Sequence, residues 1–341
     1  MFQDIYKQNI NRHERQEERR KQLLKQQKLK RLEEQDEQRK FNDKPTGKIG
    51  QHSYRKRHIN SDIVNVDLQL SEWLKEKPEN FDEWFLMPCP KGQRCLVVSS
   101  KGETKMFSKN KRYCMSFSSL LPGGGLIGSK HDSCILDCIY NKDIDMFYVL
   151  DALHYSIPLK DCETEFRLFW LKSKFSELED TMEEYKIDEL KSFKLLNYYD
   201  MANEERIAMV LQSYPLWPDN QPELDGYLFY HKESHYVYGS TPLVCWLFPF
   251  MISDVLNMQV NSCYQSPGNY CSDNYWQYME EFDKELAHKH SRRKNKQLEE
   301  MELQGTIDKE ELASRMEEDQ EDNLLQTILS AEKSLELEGE S

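Results

Sequence analysis

Two tryptophans and two cations are the residues of this sequence best suited to hold a nucleotide. Trp73 lies in the stretch LQLSEWL at 68–74, and Trp246 lies in TPLVCWL at 241–247. An indole face stacks on a purine, and does so more strongly when the purine is methylated at N7 and positively charged. Stacking is worth about 1–3 kcal/mol and the cation–π part about 0.5–2. Arg94 and Lys109 would supply charge to a di- or triphosphate bridge. The alternative is that both tryptophans are core residues. Metal chemistry has little support. The chain has nine cysteines, but no C-x-x-C pair occurs. Cys134 and Cys138 are not followed by a second His/Cys pair at zinc spacing. No metal and no cofactor are expected.

These side chains need elements to position them. Asp225–Phe250 (DGYLFYHKESHYVYGSTPLVCWLFPF) reads as strand, turn, strand. Leu228–Tyr230 forms the first apolar run, Tyr238–Pro242 supplies turn chemistry, and Leu243–Phe248 resumes the apolar run. Further strands are expected at Cys95–Ser99, Lys105–Phe107, Cys134–Tyr140, Met146–Leu153 and Phe166–Leu171 (FRLFWL). LQLSEWL reads as a short helix before Pro78. Acidic residues 176–191 and Ile207–Leu211 read as two further helices. Gly123-Gly124-Gly125 lacks the Lys-Ser/Thr of a phosphate-binding loop and reads as a flexible connection. The fold class that follows is α+β, with mostly antiparallel sheets and a few helices.

Charge divides the 341 residues into segments. The net charge of −14 and charged fraction of 31% argue against nucleic-acid binding over the whole surface. A mean hydropathy of −0.83 implies extended or disordered parts. Residues 1–44 form a basic helical segment. Arg19, Arg20, Lys21, Lys25, Lys28, Lys30 and Arg31 have no acid among them in RRKQLLKQQKLKR at 19–31. Its apolar stripe is too thin for a core, so it reads either as a solvated helix or as a segment that folds on an acidic partner. Residues 45–66 read as a flexible linker, 67–265 as the folded domain, and 266–341 as a charged, partly helical or disordered tail. No secretory signal and no membrane span are expected, and the cysteines are expected to be reduced.

Four short motifs resemble those of the covalent nucleotidyltransferases, the mRNA guanylyltransferases and ligases. Cys89-Pro90-Lys91-Gly92-Gln93-Arg94 resembles motif I (K-x-D-G-x-R), and Tyr148–Asp151 resembles motif III. Asp225–Phe229 resembles motif IV, and Leu243–Pro249 resembles motif V. The departures bear on function. Cys89 stands where the nucleophilic lysine belongs, Lys91 where the aspartate belongs, and Cys245 with Leu247 or Phe248 where the motif V lysines belong. A phosphoramidate needs an amine nucleophile, and the phosphate charge needs cations. The chain is therefore expected not to be an enzyme, on a fold similar to the guanylyltransferase nucleotide-binding domain.

Longer strings resemble the snurportins: LSEWL at 70–74, FSSLLPGG at 117–124, ILDCIYN at 135–141, and LFYHK through GSTPLVCWL up to 247. The resemblance implies a nuclear import adaptor that binds the 2,2,7-trimethylguanosine cap of spliceosomal small nuclear RNAs and links the particle to importin-β. Shuttling between cytoplasm and nucleus is implied with it. On the resemblance, Trp246 stacks on the cap base and Trp73 lies beside the methylated exocyclic nitrogen. Leu70 and Ser71 line the same pocket, and Arg94 and Lys109 lie near the phosphates. Arg19, Arg20, Lys21, Lys28, Lys30 and Arg31 fall in the importin-β-binding helix. An export receptor is a further implied partner. The apolar segment that meets it in snurportins has no counterpart before this helix, so other surfaces are expected, such as the leucines at 324–337. The alternatives are a residual guanylyltransferase and a cap-binding RNA protein without a transport role.

Overall fold

The structure is a computed structural model that describes residues 16–33, 35–36, 66–126, 131–185, 191–217 and 222–303. The expected linker at 45–65 and the leucine pattern at 324–337 lie outside the described residues. Two compact units divide the chain, Met1–Gly268 and Asn269–Ser341. In the second unit Tyr275–Leu303 is one long helix.

The first unit opens with a helix, α1, over 16–33. Among the described residues twelve strands follow in two sheets: β1 (Gln69–Trp73), β2 (Trp84–Pro90), β3 (Gln93–Ser100), β4 (Glu103–Ser108), β5 (Tyr113–Phe117), β6 (Ser133–Asn141), β7 (Met146–Tyr155), β8 (Ile157–Pro158), β9 (Ser192–Leu195), β10 (Tyr199–Asp200), β11 (Leu224–His231) and β12 (Gly239–Leu247). Helix α2 (Thr164–Tyr185) lies between β8 and β9, α3 (Glu204–Gln212) follows β10, and α4 (Ile252–Leu256) follows β12. One sheet runs β1-β12-β11-β2-β10; the other runs β5-β4-β3-β6-β7-β8, with β9 beside β7. Pairing is antiparallel except for β1 with β12 and β7 with β9. The architecture is α+β with mostly antiparallel sheets.

The sheets bury a shared core. Phe85, Met87, Cys89, Leu228, Tyr230 and Val244 of the first sheet pack with Ile139, Tyr148 and Leu150 of the second. The chain crosses from one sheet to the other at Lys91-Gly92, between β2 and β3. Only glycine fits at 92, because a Cβ there would lie 2.5 Å from Ile139 and 2.8 Å from the Tyr140 carbonyl oxygen.

Four local expectations are overturned. FRLFWL is the start of α2, not a strand. Leu168, Leu171 and Phe175 recur at helical spacing and are buried, whereas Phe166 and Phe169 are exposed. An unbroken apolar run conceals that period. LQLSEWL is strand β1, not a helix. A bulge between Ser71 and Glu72 breaks the alternation, so Leu70 and Trp73 stand at a spacing that mimics a helix. The cause lies across the pair: Ser71 faces Thr241 but Glu72 faces Cys245, so the register skips Pro242, Leu243 and Val244. Proline has no N–H to give the ladder. The expected turn at Gly239–Pro242 is accordingly the first half of β12, and the connection from β11 spans 232–238. The triple glycine is also a packed turn. Gly102 N–H donates to the Gly123 carbonyl at 2.8 Å, and Gly123 sits at φ +77° against the Asp132 carbonyl.

A buried histidine makes stability depend on pH. His231 is 5% exposed, its ring edge-on to Trp84 at 5.2 Å. Burial pushes its pKa down from 6.5 to about 4, and Arg20 acts in the same direction. The unfolded imidazole protonates near its ordinary value and the folded one only near 4, so acid favours the unfolded chain. Stability is expected to fall by up to about 3 kcal/mol as pH drops from 6.5 to 4. Melting temperature against pH measures this, and His231→Asn should flatten the slope in that window.

Candidate functional site

The expected site residues converge on β1 and its neighbours. Trp73 and Trp246 are register partners on β1 and β12, and both are half-buried. Phe248 joins them, 5.7 Å from Trp73 and edge-on to Trp246 at 6.0 Å. Leu70 and Ser71 lie on β1 opposite Ser240 and Thr241. Leu70 packs with Leu68, Leu96 and Phe107. Lys109 belongs to the β4–β5 turn and lines a depression with Val66, Leu68, Leu96 and Phe107. Partial burial and the like charge of Arg94 hold its ammonium below the ordinary lysine range.

Arg94 is not a free cation. Its Nε and Nη2 donate to the two carboxylate oxygens of Asp137 at 2.5 and 2.7 Å, and Nη2 also reaches the Gln69 carbonyl at 3.3 Å. Asp137 is fully buried. It also accepts from the Tyr236 hydroxyl at 2.7 Å, and that hydroxyl accepts from Gln69 N–H at 2.9 Å. The network anchors Arg94 to the start of β1 and spends most of its donors. Among the described residues Nη1 makes no hydrogen bond, so this is the atom left to meet an anion.

Asp137 and Tyr236 were missed by sequence reasoning. Asp137 had a signal: it is a lone charge within the apolar run ILDCIY, and a buried carboxylate demands a partner. Tyr236 has no local signal, because its link to β6 is long-range.

Gly226 shapes the aromatic site. A Cβ there would lie 2.3 Å from Cζ2 and 2.7 Å from Cη2 of Trp246. The indole lies where a side chain on β11 would be. Gly226→Ala is expected to push the ring off its rotamer, which costs about 0.5–1.5 kcal/mol and weakens stacking there by up to about tenfold. The shift in tryptophan emission reads this, with Gly226→Ala/Trp246→Phe as the control in which the shift disappears.

The motif I position offers no nucleophile. Cys89 is 1% exposed and its Sγ is 3.5 Å from the Met87 carbonyl. Burial pushes its thiol up to about 12, so it is protonated at neutral pH. Lys91 instead pairs with Glu223 at the surface, at 2.5 Å. The motif III aspartate, Asp151, is fully buried and paired with Arg167 at 2.7 Å.

Five of the six expected carrier-binding residues lie against the same unit. Arg19 forms two bonds to Glu72, at 2.8 and 2.7 Å, and Lys21 meets Glu79 at 3.1 Å. Lys30 meets Asp161 at 3.2 Å, and Arg31 pairs with Glu163. Arg20 is 2% exposed, and its Nε donates to the Pro242 carbonyl at 3.0 Å. Lys28 belongs to the same helix but has no ion pair among the described residues. These contacts place the described part of the basic helix against the folded unit.

A family model described as Snurportin1, m3G cap-binding domain, matches residues 67–249. Similar chains among solved structures include ligases. A Lig E DNA ligase, described as binding DNA with a minimal scaffold, is 14% identical with a TM-score of 0.34, over 54% of this chain and 68% of that one. The ligase domain of LigD from M. tuberculosis is 13% identical with a TM-score of 0.30, over 54% and 59%. A chain described as Pmar-Lig_PreS3 is 12% identical with a TM-score of 0.37, over 54% and 46%. The chain therefore spans less than two thirds of the length of the last two.

Proposed function

The chain belongs to the snurportin family and carries its m3G cap-binding domain, and from that premise we propose that it is a nuclear import adaptor for capped small nuclear ribonucleoproteins. The carrying observation is the register pairing of Trp73 with Trp246, whose ring lies over Gly226. In this reading Trp246 stacks on the trimethylated base, and Trp73 covers the dimethylated exocyclic nitrogen with Leu70 and Ser71. Arg94 and Lys109 meet the phosphate bridge. The basic helix is the importin-β element, and the protein shuttles between cytoplasm and nucleus. It performs no nucleotidyl transfer. The buried, protonated Cys89 supports recognition without reaction.

The test is a titration of the full chain with trimethylated and monomethylated cap dinucleotides. Tighter binding of the trimethylated cap is expected, and equal affinity would remove the specificity claim. Incubation with labelled GTP should leave no acid-labile label on the protein. A pull-down with residues 1–44 deleted should lose importin-β, and retention would refute the import assignment.

A further inference from the structure

We infer that the cap-binding unit has a second binding surface, an acidic face that takes an arginine-rich helix, and that α1 of the same chain is its occupant. The face is built for this ligand. At one end Glu72 and Glu79 receive Arg19 and Lys21; at the other, Asp161 and Glu163 receive Lys30 and Arg31. From Gln16 to Arg31 a helix spans about 22 Å, so the acids bracket its length. Between them Gln27 accepts from His235 N–H at 3.2 Å.

The central contact is a socket, not a surface ion pair. The buried Arg20 donates to the Pro242 carbonyl, the acceptor set aside by the bulge in β12. It also donates to Gln16 and Glu17 of its own helix and to Cys245 Sγ at 3.4 Å, and it lies 5.1 Å from the Trp84 ring centroid. Gln16 in turn donates to the Trp73 carbonyl at 3.0 Å. The residues that distinguish this surface are therefore the bulge at Pro242, the small buried Cys245, and the acids at either end.

The consequence is competition. Four of the cations that would engage an acidic carrier are already matched by acids of the domain, and Arg20 is buried against it, so a carrier must displace α1 from the domain. This last step rests on the import reading; the docking itself does not.

Hydrogen exchange of the amides at 16–33 in the full chain tests the docking. A helix of this length is marginal alone in water, so protection reports the contact with the domain. The triple variant Glu79→Gln/Asp161→Asn/Glu163→Gln touches neither tryptophan strand. It should raise exchange across 16–33 by about tenfold while the fold persists. Absence of protection in the wild type, or protection unchanged in the variant, would overturn the inference. The competition is read with importin-β. The full chain should bind more weakly than a peptide of residues 1–44, and the triple variant should close that gap; equal binding by all three would refute competition. A peptide that does not bind importin-β would sink the import reading and leave the docking to be decided by exchange.

Discussion

Trp246→Ala is expected to weaken binding of a trimethylated cap dinucleotide by about 2–4 kcal/mol, or roughly 30- to 1,000-fold. The ring is half-buried and set over Gly226, with Phe248 edge-on to it, so its orientation is fixed before a ligand arrives. A preset ring loses little freedom on stacking, which keeps most of the interaction as affinity. The loss has two parts that separate experimentally. Stacking acts on any purine, whereas the cation–π part needs the positive charge of the N7-methylated ring. Wild-type protein should therefore prefer a methylated over an unmethylated cap dinucleotide, and Trp246→Ala should lose most of that preference as well as affinity. Trp246→Phe should retain an intermediate level of both. Isothermal titration, well below the melting temperature of each variant, gives the comparison. A variant that keeps both affinity and preference would show that the base lies elsewhere.

The parts of this site legible in the sequence are those carried by contiguous residues. LSEWL, KGQR and TPLVCWL delivered Trp73, Arg94 and Trp246, because each is a contiguous stretch that needs no long-range partner to be seen. What the sequence withheld is what joins strands. Arg94 looked like a free cation until Asp137, 43 residues away, was seen to take two of its donors. Arg20 looked like one of several equivalent helix cations, yet its partner Pro242 lies 222 residues on. No local pattern announces such a pair. The two secondary-structure errors have a related cause. Periodicity reads burial on one element, and α2 hid its period in a run of aromatic residues, while β1 broke its own at a bulge imposed by the partner strand. The first error fell on the helix that carries Arg167, the second on the strand that carries Trp73.

Loss of the motif chemistry follows the same logic of partners. Asp151 occupies the position of a conspicuous motif residue, but its carboxylate is committed to Arg167, Oδ1 to Nε at 2.9 Å and Oδ2 to Nη2 at 2.7 Å. A carboxylate so neutralised and fully buried cannot also serve a ligand. Cys89 and Cys245, in the places of two lysines, lie in the apolar core and under Arg20 respectively. Lysines at these buried positions would have to be compensated by a charge partner, as any buried cation must.

Arg167→Met should be the most destabilising single change in the domain, by about 3–5 kcal/mol, because it leaves the buried Asp151 charge uncompensated. In a unit of this size that is a fall of roughly 6–20 °C in melting temperature. Arg167 is fully buried, and beyond Asp151 its Nη1 donates to the carbonyls of Cys162 at 2.6 Å and Ser234 at 2.9 Å. It thus fastens the 232–238 connection to α2, and that connection carries Tyr236, which holds Asp137 and Gln69. Removing the charge from both partners should recover much of the stability: Arg167→Met/Asp151→Leu is expected to melt well above Arg167→Met, but below wild type because the Cys162 carbonyl loses its donor. The two losses then divide. If Asp151 acts only in the fold, the double variant should bind the cap nearly as wild type does wherever it is folded. If its affinity falls as far as that of Trp246→Ala while its melting temperature recovers, Asp151 serves the ligand after all, and the structural assignment of the motif III aspartate is wrong.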